Sequence, residues 1–514
     1  MPKSTSDTDT SAPAVKATRK EWIGLAVIAL PCILYSMDLT VLHMAVPQLS
    51  TDLEPTSAQL LWIIDIYGFL VAGSLITMGT LGDRIGRRLL LLIGAAAFGL
   101  ASVLAAFSKS AEMLIASRAI LGVAGATVAP STLSLIRNMF LDPHQRTVAI
   151  SVWITSFSIG GAIGPLIGGA LLQVFWWGSV FLISVPVMVL LLIVGPRLLP
   201  EYRDPSPGRL DLISAAMSLV AVLSVIFGLK QIAQDGVALM PIVVILTGIA
   251  IAVAFARRQL HLKAPLVDLR LFGEPGFSAS LATYGLSILV LFGGFLFLPQ
   301  FLQLVLGLSP FVAGVWTLPW ALAFIVGAGV TPGLVRRVPP ASVMSAGLVL
   351  SAVGFAMFAQ IGTGTGFLWF ATGSGLFSLG MSPVFTLTTD LIIGTAPPER
   401  AGAASAISET SAELGGALGI ALFGSIGVAI YRMAMAGRIP ALLAADRAES
   451  ARATLGGAMA AAAELPADQS AVLIDTGRAA FIKALQLCSA MSVVGSLALA
   501  VFVALTLRRV KRHG

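Results

Sequence analysis

The sequence predicts an all-α polytopic membrane protein. Three observations point there: an apolar composition, recurring runs long enough to cross a bilayer, and a lopsided placement of basic residues. Of 514 residues, 57% are hydrophobic and only 11% charged, and the mean hydropathy is +0.93. A water-facing surface needs more polar side chains than that. Apolar runs of about 20 residues, enough for roughly 30 Å of hydrocarbon, recur fourteen times. They lie near 22–44, 57–78, 88–108, 112–136, 146–173, 178–199, 211–229, 239–256, 276–306, 311–334, 341–360, 366–393, 401–430 and 479–507. A backbone in lipid satisfies its hydrogen bonds within a helix or a closed barrel. The alternation of barrel strands is absent, so the runs are read as helices.

The net charge of +7 invites a nucleic-acid partner, but its distribution argues for topology instead. With fourteen spans and both ends on one side, most of the 32 Lys and Arg fall on that side, among them Lys16, Arg19, Lys20, Arg84, Arg87, Arg88, Arg257, Arg258, Lys263, Arg336, Arg337, Arg508, Arg509, Lys511 and Arg512. The short loops opposite carry Lys109 and Lys230. Basic residues mark the cytoplasmic side, so both termini are expected there, and no nucleic acid is expected as a partner. Cys32 and Cys488 fall inside spans, and neither a disulfide framework nor a metal spacing is visible. The first span lacks the small-residue site at which a signal peptide is cut.

The spans group as six, two and six. Residues 1–20 read as a polar, disordered cytoplasmic tail and 21–200 as a six-helix bundle. Residues 201–275 hold two inserted helices between Pro-rich, charged linkers. Residues 276–514 form a second six-helix bundle with a long exterior loop, 431–478. Paired bundles are a common transporter plan. The loop is Ala-rich and broken at Leu465-Pro466-Ala467-Asp468. Either it is two short helices meeting at that break or it is irregular.

Charges inside spans cost about 2.5 to 3.5 kcal/mol on the milder scales and mark ion or substrate paths. Asp38 lies roughly 9 Å from the outer end of span one, counting 1.5 Å per residue. Asp65 in span two and Arg118 in span four come out at a similar depth, so the three are expected to share one cavity. An arginine near Asp38 favours its charged form, and withdrawal of that arginine favours protonation. That is a means of taking up and releasing a proton. The alternative is a static ion pair, or, for Asp65 with Trp62 and Tyr67 nearby, an interfacial residue. Glu409 and Glu413 are four apart in span thirteen and share a helix face. Two close carboxylates in low dielectric do not both ionise, which makes a proton acceptor. With Asp38 and Asp65 they make four inward acids. Trp62, Trp153, Trp316, Trp320, Phe292, Phe295, Phe385 and Met381 are candidates to line a cavity for flat cations, or they pack against helices and lipid.

Span two runs into Gly79-Thr80-Leu81-Gly82-Asp83-Arg84-Ile85-Gly86-Arg87-Arg88. Its glycines permit a tight turn and close helix approach, and Asp83 is suited to an arginine or a helix N-terminus. Thr331-Pro332-Gly333-Leu334-Val335-Arg336-Arg337 follows span ten, at the equivalent place in the second half, without the acid. The first stretch resembles the cytoplasmic signature of the major facilitator superfamily. Arg118-Ala119-Ile120-Leu121-Gly122-Val123-Ala124-Gly125-Ala126 is similar to its fourth-helix signature. Gly160-Gly161-Ala162-Ile163-Gly164-Pro165-Leu166-Ile167-Gly168-Gly169 is similar to the antiporter signature of proton-coupled exporters. Asp38-Leu39-Thr40-Val41-Leu42-His43-Met44-Ala45-Val46-Pro47 resembles the first-helix signature of the fourteen-span drug:proton antiporters. Trp176-Trp177-Gly178-Ser179-Val180-Phe181 and Leu61-Trp62-Ile63-Ile64-Asp65-Ile66-Tyr67 agree with it, with Gly178 near a usual arginine.

The resemblance covers the whole chain. It implies the major facilitator fold and a monomeric, proton-driven exporter of lipophilic cationic drugs, dyes and antiseptics in the bacterial cytoplasmic membrane. No cofactor is implied beyond the proton gradient. By resemblance Glu409 and Glu413 serve proton coupling or cation binding. The acid that some relatives carry in span ten has no counterpart between Phe311 and Val335. The expected roles are proton coupling for Asp38, Arg118, Glu409 and Glu413, substrate contact for Asp65, Trp62, Tyr67, Trp316 and Phe295, and a conformational gate at Gly79, Asp83, Arg84, Gly86, Arg87, Gly160, Gly164, Pro165 and Gly168. With few anions left for the drug, monovalent cations are expected to be preferred over long dications. Competing readings are an exporter of an endogenous metabolite, a passive channel, and a membrane enzyme. Against the last, His43, His144, His261 and His513 are scattered along the chain.

Overall fold

A computed structural model describes residues 16–508, apart from 54, 56, 204–210, 236–237, 263–264, 309, 398–399 and 441. Most of the expected tail therefore lies outside the described residues, as do Lys263, Arg509, Lys511 and Arg512. Among the described residues there is no β-strand, and fourteen helical segments are long and apolar enough to cross a membrane.

The first half holds α1 (Arg19–Leu53), α2 (Ser57–Ile85), α3 (Arg87–Ala106), α4 (Ala111–Gly125), α5 (Val128–Met139), α6 (Pro143–Leu171), α7 (Ser179–Leu182) and α8 (Ser184–Leu198). Then come α9 (Leu212–Asp235) and α10 (Leu239–His261). The rest is α11 (Pro275–Phe295), α12 (Leu298–Gln300), α13 (Pro310–Val335), α14 (Pro340–Phe358), α15 (Phe367–Thr395), α16 (Ala401–Met435), α17 (Ala445–Ala453), α18 (Leu455–Ala462) and α19 (Ala467–Thr506). Local sequence explains several boundaries. Ser110 caps α4 by accepting the Met113 N–H at 3.2 Å. Asp142 caps α6 through the His144 N–H, with Pro143 at the first helical position. The fourth span is two helices, α4 and α5, joined by a turn at Ala126 and Thr127.

Two apolar cores organise the packing. One joins residues of α1 to α8, and the other joins residues of α11 to α19. The halves meet where α2 and α5 touch α16, and where α6 touches α13 and α15. Helices α9 and α10 pair with each other, and α9 lies on both α2 and α16 through Phe69, Val222, Ile226 and Ala421. The start of α1 lies beside the start of α6, where the Ala17 N–H donates to the Gln145 side chain at 2.7 Å; this end of the bundle is called the terminal face below.

The loop after α16 is folded. Helices α17 and α18 are the short pair expected in it, but they meet at Thr454, which caps α18 through the Gly457 N–H at 3.0 Å. The break at Leu465 and Pro466 instead separates α18 from α19, because Pro466 cannot continue a helix but suits the position before one. Glycine governs one long contact: a methyl group on Gly160 would overlap the carbonyl oxygen of Ile33, so α6 lies directly on α1. The side chain of Pro165 lies outside the described residues.

Candidate functional site

Asp38 on α1 and Arg118 on α4 form an ion pair, Nη1 to Oδ2 3.2 Å, with side chains 5% and 1% exposed. The fourth-helix signature places Arg118 one turn ahead of Gly122 and two ahead of Gly125, glycines that let α4 press onto Tyr67 of α2. The Tyr67 ring lies 5.2 Å from the Arg118 guanidinium and the Phe181 ring 5.9 Å. Arg118 Nη2 also donates weakly to the Ile64 carbonyl at 3.5 Å. Its Nε is buried and makes no hydrogen bond among the described residues. Asp65 is half-buried on α2, between Ile64 and Tyr67.

Tyr67 leads toward the other half. Its hydroxyl donates to the Tyr35 carbonyl at 3.3 Å. Tyr35 in turn lies within electrostatic range of both Glu413 and Glu409 on α16. Glu409 is also within electrostatic range of Cys32 of α1 and Tyr284 of α11. Both carboxylates therefore lie near residues of both halves, and Glu409 Oε1 is buried without a hydrogen bond among the described residues. Tyr284 stands edge-on to Phe385 at 5.7 Å, and Phe385 lies 6.0 Å from Phe324. An aromatic cluster from α11, α13 and α15 therefore borders the acids.

Other expected cavity residues are placed elsewhere. Trp62 is exposed, with its ring 6.3 Å from Phe69 on the side of α2 that meets α9. Trp153 is buried, donating to Thr132 Oγ1 at 2.8 Å. Trp316 packs on Phe367 and Phe370. The side chain of Phe295 lies outside the described residues.

The terminal face is closed by two clasps. In the first, Asp83 takes Arg87 at 2.9 Å and the backbone N–H groups of Gly402 and Ala403 at 3.1 and 3.0 Å. A carboxylate thereby caps the N-terminus of α16 from across the halves. A Cβ on Gly79 would sit 2.5 Å from the Gly402 carbonyl oxygen, so the approach requires glycine. Arg87 is also 4.9 Å from the Tyr202 ring. Gly86 turns the chain at φ 114°, and Glu201 then caps α3 through the N–H groups of Arg88 and Leu89. Arg84 is half-buried beside them.

The second clasp was not among the residues singled out from sequence. Arg146 of α6 donates to Asp390 of α15 at 2.8 Å, and the Thr147 hydroxyl donates to the same carboxylate at 2.7 Å. Arg146 and Asp390 are 5% and 3% exposed. Asp390 lies inside the run 366–393, so the tally of four inward acids was one short. An acid inside a span was the signal available, and it lies close to the end of that span. Next to it, Arg336 Nε donates to His144 Nδ1 at 3.3 Å.

The comparisons with known proteins agree with this architecture. The model of the Major Facilitator Superfamily matches residues 28–420. The multidrug efflux pump LfrA of Mycolicibacterium smegmatis is 41% identical, over 95% of this chain and 97% of its own. The methyl viologen resistance protein SmvA of Salmonella typhimurium is 37% identical, over 90% and 93%. The tetracenomycin C resistance and export protein of Streptomyces glaucescens is 31% identical, over 97% and 93%. Among solved structures, the human organic anion transporter MFSD10 superposes with a TM-score of 0.63 at 16% identity, over 95% of this chain and 100% of that one. An inward-facing bacterial homologue of Spinster gives 0.55 at 18%, over 96% and 98%. The chain belongs to the major facilitator superfamily and, within it, to the multidrug exporter family of these relatives.

Proposed function

We propose that this chain is a proton-coupled antiporter that exports lipophilic cationic drugs across the bacterial cytoplasmic membrane by alternating access. The observation that carries the reading is the Asp38–Arg118 pair. It is buried in the apolar core of the first half and linked through Tyr67 and Tyr35 toward Glu413 and Glu409. A buried charge pair contributes little net stability, so its retention asks for another reason. Protonation of Asp38 would free Arg118, and a proton exchanged with the α16 acids would couple the halves. Tyr284, Phe385 and Phe324 would offer ring faces to a planar cation beside the same acids.

In this reading the terminal face is cytoplasmic, the protein works as a monomer, and no cofactor serves it beyond the proton gradient. Residues 21–200 and 276–514 rock against each other, with 201–275 alongside. The sequence similarity to multidrug and methyl viologen resistance proteins supports a drug as cargo. The test is ethidium efflux from vesicles under an imposed pH gradient. Wild type is expected to exchange drug for protons. Asp38→Asn is expected to insert normally and lose drug-driven proton movement, and wild-type rates in that variant would overturn the assignment. Asp65 is proposed to contact the cargo, and Asp65→Asn is expected to lower tolerance to ethidium. Methyl viologen, a compact dication, tests the expected preference for single charge.

A further inference from the structure

The inserted pair α9 and α10 has a polar seam that the transport reading leaves unexplained. Gln259, in the last turn of α10, is 3% exposed. Its amide nitrogen donates to Ser214 Oγ of α9 at 2.8 Å. Its amide oxygen accepts the N–H of Leu266 at 2.7 Å and, at 3.4 Å, that of Val267. One buried side chain thus fixes the segment that leaves α10.

That segment reaches both halves. The Leu266 carbonyl lies 2.9 Å from Thr80 Oγ1 of α2, whose one hydroxyl proton it shares with the Ile76 carbonyl, also at 2.9 Å. Thr80 follows Gly79 and lies one turn before Asp83, the two residues that meet Gly402. Meanwhile Leu266, Val267 and Leu271 share an apolar cluster with Ala404 and Ile407 of α16 and with Ile392 and Ala396 at the end of α15. The segment is therefore hydrogen-bonded to the first half and packed on the second. The halves cannot part at the terminal face without giving up one of these attachments.

We propose that residues 265–271 are a strap that holds the terminal face closed, and that Gln259 is the positioning residue that sets it. The inserted helices are then part of the gate. Gln259 touches neither cargo nor proton carriers. It holds two N–H groups so that the Leu266 carbonyl meets Thr80, and Thr80 is thereby held in the turn that presents Asp83 to α16. Loss of the Thr80 bond biases the protein toward opening on that face.

The inference rests on the gate reading of Asp83, so the experiment separates the two. Cys32 and Cys488, both buried, are changed to Ser. The buried Ser134 of α5, whose carbonyl receives Arg87 Nη1, is changed to Cys. Alkylation by an impermeant maleimide is then timed from the terminal face in membrane vesicles. Asp83→Asn is expected to speed the reaction strongly. Thr80→Val, which keeps shape and loses the bond, is expected to speed it about fivefold, the factor for about 1 kcal/mol of hydrogen bond. Gln259→Leu is expected to do at least as much. A faster rate with Asp83→Asn but wild-type rates with the other two overturns the strap alone. No change with Asp83→Asn overturns the gate reading and the strap with it. If Gln259→Leu does not accumulate in the membrane, Thr80→Val decides.

Discussion

The Asp83 clasp and the Asp390 clasp both join the two halves at the terminal face, but one ties a side chain to backbone and the other ties side chain to side chain. Asp83 holds the first N–H groups of α16, whose direction is set by the helix itself. Asp390 holds Arg146 and Thr147, whose positions depend on rotamers. The partners also differ in reserve. Arg87 keeps the Tyr202 ring and a weak bond to the Ser134 carbonyl if Asp83 is lost. Arg146 has Asp390 as its one anion among the described residues. The stretch after span ten lacks the acid of its first-half counterpart, and α15 supplies a carboxylate nearby. A similar mechanical task is thus met from a different place in the chain.

The largest expected effect follows from that difference in reserve. Asp390→Asn leaves Arg146 buried without a counter-charge, and Arg137 is already within electrostatic range. Breaking a buried pair costs about 3 to 5 kcal/mol. Ethidium efflux is expected to be nearly lost, and the exchanged pair Arg146→Asp with Asp390→Arg is expected to recover part of it. Wild-type efflux in Asp390→Asn would remove the second clasp from the gate. Asp83→Asn comes next. The amide oxygen still accepts from Gly402, but the charge at the helix N-terminus is gone, a contribution of up to about 2 kcal/mol in partly buried sites. Efflux is expected to fall by about tenfold or more, and an effect exceeding that of Asp390→Asn would invert the comparison.

Thr147→Val removes one hydrogen bond from Asp390 and keeps the ion pair. A bond to a charged group contributes about 1.5 to 3 kcal/mol. A partial loss of efflux is expected, smaller than for either aspartate, and a complete loss would mean that Thr147 holds the clasp by itself. The smallest effect is expected at Asp211, outside both clasps. It pairs with Arg258 at 2.8 Å and accepts from Ser214 at 2.8 Å. Partial burial pushes its pKa up, but Ser214 and Arg258 outweigh that and hold it below the usual carboxylate range. Its contribution is therefore present at neutral pH and lost as pH falls through the acid range below about 3.9. Asp211→Asn should lower the melting temperature slightly at pH 7, with the gap closing in acid. A gap that persists unchanged in acid would show that the charge contributes nothing.

Much of this was legible in the sequence, for identifiable reasons. Hydropathy gives spans because lipid demands long apolar helices, and Asp38 and Arg118 stand out because charge is costly there. Asp83 is embedded in a dense local pattern. Asp390 and Arg146 have no local pattern at all: they are 244 residues apart, and each alone looks like an ordinary charge at a helix end. Trp62 shows the opposite error. Its composition suited a cavity, but its place on α2 turns it toward Phe69 and the inserted pair. Residue type is read locally, whereas facing is decided by helix packing. The same holds for Gln259, a lone amide at a helix end whose use depends on three other segments.

The contact of Gly79 with Gly402 has a consequence for the speed of the cycle. Where two surfaces close through long side chains, each closure freezes rotamers, at up to about 2 kcal/mol for each long chain. Here the meeting surfaces are peptide backbone already fixed within helices. Closing this one contact orders almost nothing, so the entropy lost on the way shut falls mainly on the Arg146–Asp390 clasp. In the proposed gate, this backbone contact leaves the balance to be set by the charges of the two clasps.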